Sequence, residues 1–157
     1  MEVTAAMVKE LRERTGAGML DCKKMLVEAN GDMEKAIELL REKGLAAAAK
    51  KAGRIAAEGM VYAAADVANK VGVVIEVNAE TDFVAKNDSF QTFVKEVADV
   101  VMAQNPADVE ALMACKLGEQ TVEAALQEKI LVIGENIKIR RFARFEGVCS
   151  AYVHGGG

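Results

Sequence analysis

The residues best placed to do chemistry in this chain are Thr81-Asp82-Phe83-Val84-Ala85-Lys86-Asn87, directly after a strand-like stretch that ends at Ala79. A carboxylate stands beside a large apolar ring where a strand gives way to a helix. Such junctions display functional side chains on a rigid support. Two readings fit the pair. In one, Phe83 folds back into the local core and Asp82 caps the next helix. In the other, the ring projects and enters a second molecule with the carboxylate beside it. The chemistry of the second reading is recognition by insertion, and no bond is made or broken.

Residue sets for catalysis are sparse. The single histidine, His154, lies three residues from the end against a run of glycines, so a histidine-based triad has one candidate and no framework. Cys22, Cys115 and Cys149 are odd in number, widely separated and form no CxxC. That pattern suits reduced thiols better than a disulfide framework, and it offers no metal site. There is no GxxxxGK[ST] phosphate loop, no GxGxxG after a strand and no GxSxG elbow. No spacing singles out a pair of carboxylates for acid–base work. The chain reads as a binding module, not an enzyme, with no cofactor.

Composition supports a folded chain. Of 157 residues, 52% are apolar, enough for a core, yet there is no Trp and aromatics make up only 4%, so that core must be built from Val, Ala, Leu, Ile and Met. Residues 1–54 carry 11 Lys/Arg against 9 Asp/Glu, and the remainder 9 against 15. A weakly basic front and an acidic back lack the basic patch of a direct nucleic-acid binder. The N-terminus MEVTAAMVKELRERTG has no apolar signal core, and no apolar stretch approaches the roughly 20 residues that span a bilayer. The expectation is a soluble cytoplasmic protein without membrane contact.

The elements that would position these residues fall into two sets. Thr4 caps a helix to about Arg14, and Thr15-Gly16-Ala17-Gly18 breaks it. A second helix runs from about Met19 to Asn30 and stops at Gly31. Asp32 caps a third, with Met33, Ala36, Ile37 and Leu40 on one face, ending at Gly44. Leu45 to Gly59 is an Ala-rich connecting helix or semi-rigid linker whose Lys50, Lys51 and Arg54 either face solvent or meet an acidic partner. From Met60 the period changes. Met60–Ala65 and Val71–Ala79 are strands joined by a turn at 66–70, an antiparallel hairpin. In the second, Val71, Val73, Ile75, Val77 and Ala79 alternate with more polar positions, the mark of a half-buried strand. Asp88 or Ser89 caps a helix to about Gln104, stopped by Asn105-Pro106. Helices follow near 108–115 and 121–133. Ile137, Ile139, Ala143 and Phe145 form the inward face of a third strand, where Arg141 on the same parity calls for a bulge or an edge. Val148–Val153 starts a fourth strand. Gly155-Gly156-Gly157 after a strand implies a further element or pairing with another copy, so the core is expected to be incomplete at its C-terminus. The fold class is α+β.

At this level of detail the sequence resembles the bacterial elongation factor Ts family. KELRERTGAGMLDCKK, within Thr4–Lys24, is similar to the family's N-terminal signature, and TDFVAKN at Thr81–Asn87 to its second. GENIKIRR at Gly134–Arg141 and AYVHG at Ala151–Gly155 match further on, and the resemblance covers all 157 residues in order. It implies a ubiquitin-associated-like three-helix domain at residues 1–54, counting the start of the linker, and an antiparallel-sheet core with packed helices at 55–157. It implies guanine-nucleotide exchange on elongation factor Tu, the GTPase that delivers aminoacyl-tRNA to the ribosome. Carried onto this sequence, Arg12, Met19, Leu20 and Lys23 would grip the GTPase domain, and His154 would contact it as well. For Met19 and Leu20, burial in the helical bundle is the competing reading. Thr81, Asp82, Phe83 and Val84 would form the wedge, with Phe83 between helices near the nucleotide and Asp82 disturbing the shell that holds Mg²⁺. The family includes short forms that dimerise, so a homodimer is a further implication. The alternative function is a protein-interaction module built on the three-helix head, without exchange activity.

Overall fold

A computed structural model describes residues 2–154; the terminal glycines, and with them the end of the AYVHG motif, lie outside the described residues. The chain divides into two compact units, one formed by residues 1–53 and 127–135, the other by 54–126 and 136–157.

The first unit begins with α1 (Ala5–Thr15), α2 (Met19–Glu28) and α3 (Met33–Lys51). Thr4 Oγ1 accepts from the Met7 N–H at 3.3 Å, and Gly16 in the left-handed region closes α1 by donating to the Arg12 carbonyl. Asp32 opens α3 by accepting from the Lys35 N–H at 3.1 Å. Val8 and Leu11 of α1, Cys22 and Leu26 of α2, and Ala36 and Leu40 of α3 form its core. Burial pushes the Cys22 thiol above its ordinary pKa. Lys43 of α3 pairs with Asp21 of α2.

Gly44 does not end α3. The helix continues to Lys51, because LAAAAKK has strong helix propensity and Gly44 stays in helical conformation. Gly44 is buried, and a Cβ there would lie 3.5 Å from the Gln127 carbonyl oxygen of the same unit.

The second unit holds β1 (Glu58–Asp66), β2 (Val71–Ala79), α4 (Asp82–Ala85), α5 (Asp88–Gln104), α6 (Val109–Ala114), the short pair β3 (Lys116–Leu117) and β4 (Gln120–Thr121), the start of α7 (Val122–Ile133), and β5 (Lys138–Glu146). The main sheet has the order β1-β2-β5, antiparallel throughout, which makes the architecture α+β. The β1–β2 hairpin turns over residues 67–70. There Asn69 donates to both Asp66 carboxylate oxygens, at 3.1 and 2.7 Å, and holds that carboxyl below its ordinary pKa. Val73, Ile75 and Val77 of β2 are fully buried beneath Phe90, Phe93, Val94, Val97 and Val101 of α5. The expected period of two is what places them there.

Gly59 of β1 sits at φ +137°, opposite Asn78. A Cβ at this position would collide with the Val77 carbonyl oxygen and approach the Asn78 Cα to 2.7 Å. Both obstacles are backbone and cannot swing aside. Gly59→Ala should therefore cost roughly 2–5 kcal/mol, strain and overpacking together, read as a lowered urea midpoint.

Strand β5 departs from the expected parity. Glu76 pairs with Arg141 and Val77 with Ile139, so Arg140 is the extra residue of a bulge. The bulge expected near Arg141 is present, and β5 is an edge strand, but its consequence is larger than the sequence reading allowed. One inserted residue reverses every side chain after it. Ile139 remains inward, while Ala143 and Phe145 turn outward and Phe142 and Arg144 take the inner positions. Arg144 answers this by donating from Nε and a terminal nitrogen to the Met102 carbonyl, at 3.2 and 3.1 Å, in the last turn of α5.

The expected fourth strand at 148–153 is absent among the described residues. Gly147, at φ +121° and donating to the Lys70 carbonyl at 2.8 Å, turns the chain, and Cys149 then settles over Gly72. The short β3–β4 ribbon leaves no mark in the sequence, because two-residue strands carry no periodicity.

Candidate functional site

The run at 81–87 folds as a single helical turn followed by a second helix. Thr81 has extended backbone, and its Oγ1 accepts from the Val84 N–H at 3.4 Å, so Thr81 caps α4. Asn87 then caps α5, its Oδ1 accepting from the Phe90 N–H at 3.2 Å. The expected cap was Asp88 or Ser89. Asn87 takes the role because its extended backbone (φ −71°, ψ 131°) lies just outside the helix, whereas Asp88 is already inside it. Asp82 is thus free of capping duty and exposed, with Lys86 Nζ at 3.9 Å, a surface pair of little energetic weight.

The turn separates its two apolar residues. Val84 is buried and roots α4 in the unit, while Phe83 is 83% exposed. Leaving a phenylalanine in water forgoes roughly 1.5–3 kcal/mol of burial. The support beneath it is firm: the Ala85 carbonyl accepts from Gln91 Nε2 of α5 at 3.1 Å. The inward reading of Phe83 is therefore excluded for the free chain.

In the first unit, Arg12 lies exposed near the end of α1, and Met19, Leu20 and Lys23 are exposed on the first turns of α2. The helix buries Cys22 and Leu26 instead, which removes the bundle-core alternative for Met19 and Leu20. Leu20, 77% exposed, and Val27, 57% exposed, stand seven residues apart on one face with Lys23 and Lys24 between them. Leu20, Lys23, Lys24, Met25, Val27 and Glu28 line a shallow open groove there. Val27 and Lys24 were missed from the sequence, although the i, i+3, i+4, i+7 spacing from Leu20 was the available signal.

His154 is exposed, and its Nδ1 lies 3.0 Å from the Tyr152 hydroxyl. Arg12, Met19, Leu20 and Lys23 gather in the first unit, and Thr81, Asp82, Phe83, Val84 and His154 belong to the second. No helix among the described residues is long and apolar enough to cross a membrane.

A family model described as Elongation factor TS matches residues 80–157. The chain is 57% identical to elongation factor Ts of Trichlorobacter lovleyi, with 100% of this chain and 52% of that protein aligned. It is 58% identical to elongation factor Ts of Clostridium perfringens, over 99% of this chain and 52% of that protein. It is 56% identical to elongation factor Ts of a Bradyrhizobium strain, over 98% of this chain and 50% of that protein. The chain spans about half the length of these curated relatives.

Proposed function

The chain belongs to the elongation factor Ts family, and from that premise we propose that it promotes GDP release from the translational GTPase elongation factor Tu in the cytoplasm. The observation that carries the proposal is the held-out ring: Phe83 stands in water on a turn whose next residue, Val84, is buried. A ring displayed in this way gives up little packing of its own on entering a cleft, and the burial it gains offsets the cost of ordering it.

In this reading Phe83 wedges between helices of the GTPase domain, and Asp82 perturbs the shell that holds Mg²⁺. That ion bridges phosphate oxygens and neutralises their charge, so loosening it weakens the grip on GDP. Linkage makes the effect reciprocal: nucleotide weakens the grip of the factor by the same ratio. Each tenfold change corresponds to about 1.4 kcal/mol. Burial of one Phe side chain, about 1.5–3 kcal/mol, covers one to two decades. The remainder falls to Asp82, to the grip of Arg12, Met19, Leu20 and Lys23 on the ubiquitin-associated-like head (residues 1–54), and to His154 of the core module (residues 55–157). The partner is a protein and the factor touches no nucleic acid; a homodimer is compatible with this role.

Stopped-flow release of a fluorescent GDP from elongation factor Tu tests the proposal. Acceleration that saturates with chain concentration is expected. Binding to elongation factor Tu without acceleration would leave the second reading, an interaction module, which the exposed Leu20–Val27 face of α2 favours.

A further inference from the structure

The Gly134–Arg141 motif contains a buried polar residue to which the proposed mechanism gives no task. Asn136 is only 8% exposed. Its side-chain Nδ2 donates to the Arg54 carbonyl at 2.8 Å, and its backbone N–H donates to Glu80 Oε1 at 2.8 Å. The Arg54 guanidinium approaches the same Glu80 oxygen at 3.5 Å. Three segments distant in sequence meet at one carboxylate. Arg54 and Asn136 are also the two residues at which the chain enters the second unit.

Glu80 immediately precedes Thr81, the cap of α4. A helix of four residues cannot hold itself, because nucleation fixes several dihedrals for one hydrogen bond. The direction in which Phe83 points is therefore set by what clamps the turn. On the C-terminal side the clamps are Gln91, bonded to the Ala85 carbonyl, and the Asn87 cap. On the N-terminal side the clamp is the Glu80–Asn136–Arg54 network, one residue from the cap. Of its members Asn136 is buried and Glu80 partly so, and a buried polar group holds its partners firmly when satisfied and is costly when one is lost.

We infer that Asn136 is a positioning residue for the Phe83 turn: its backbone N–H holds the Glu80 carboxylate, its carboxamide holds the Arg54 backbone whose guanidinium approaches the same carboxylate, and Glu80 fixes the entry of α4. The inference rests on the proposed exchange function for its kinetic consequence and on geometry alone for its structural one. Asn136→Asp tests it, because the substitution keeps size and removes the Nδ2 donor facing the Arg54 carbonyl. Glu80→Ala removes the acceptor from its partly exposed side and serves if Asn136→Asp does not fold.

The first readout is NMR order parameters of the amides at 82–86 in the free chain. Values near about 0.85 are expected in the parent, falling below about 0.6 in the variant. An unchanged value overturns the inference whether or not the chain acts on any GTPase. The second is a double-mutant cycle on GDP release. Asn136→Asp should slow the accelerated release about tenfold in the parent and not at all in a Phe83→Ala background. An equal loss in both backgrounds would mark Asn136 as a general structural residue and overturn the positioning role. Absence of acceleration by the parent itself would overturn the exchange reading and leave the order parameters to decide this one.

Discussion

Phe83→Ala should remove about one to two decades of the acceleration of GDP release while leaving the stability of the chain unchanged within about 0.5 kcal/mol. The two halves of this expectation come from the same fact. Phe83 is 83% exposed, so truncating it opens no cavity and strands no partner. The cap at Thr81, the buried Val84 and the Gln91 bond all remain, and the turn keeps its shape. What disappears is the area that would be buried in the partner. The kinetic half is measured by stopped-flow release at saturating factor, and the stability half by urea midpoint. A drop in midpoint would mean that the ring packs inward in solution. Unchanged release would move the origin of exchange to Asp82, to the head or elsewhere in the core.

Phe90→Ala, seven residues later, should do the opposite. Phe90 is fully buried in the first turn of α5, among the residues that cover β2. Removing a buried ring leaves a cavity that the surrounding structure fills only in part, at a cost of about 3–5 kcal/mol. Against a total stability of about 5–15 kcal/mol, that brings the second unit close to its threshold. The urea midpoint followed by helical circular dichroism should fall sharply. GDP release should suffer in proportion to the fraction unfolded and recover on cooling toward the temperature of maximum stability. A midpoint within about 0.5 kcal/mol of the parent would be incompatible with the packing of α5.

These two phenylalanines show where the sequence was legible. Phe90 belongs to a helical stripe with Phe93, Val94, Val97 and Val101, and the stripe marks it as core. Phe83 stands outside any stripe, and nothing in the residues TDFVAKN decides between projection and inward packing. Its exposure follows from Thr81 and Asn87 taking the two caps, which leaves Asp82-Phe83-Val84 to a single turn with Val84 inward. Strand β2 could be read outright because its alternation is unbroken. Beyond the bulge, β5 could not, since one extra residue at Arg140 inverts the parity of Ala143 and Phe145. Gly44 is a stop signal by its type, but the alanine run that follows carries the helix through. The Asn136 network left no local trace: its partners lie 56 and 82 residues away in sequence.

The two edges of the main sheet are built differently. Strand β5 is bulged and exposes Lys138, Arg140 and Arg141, whereas the Met60–Ala65 stretch of β1, between Glu58 and Asp66 at its ends, has no charged side chain. Lysines, arginines and bulges on an edge repel an incoming strand, and an apolar stretch without them is more open to one. Under concentration or heat, the first strand added should therefore come to β1. If two copies join β1 to β1, both receptive edges are consumed and the outer edges of the joined sheet are the arginine-bearing ones. Growth of such an assembly should then terminate at the pair, because the bulge at Arg140 and the charges beside it disfavour a further strand on β5.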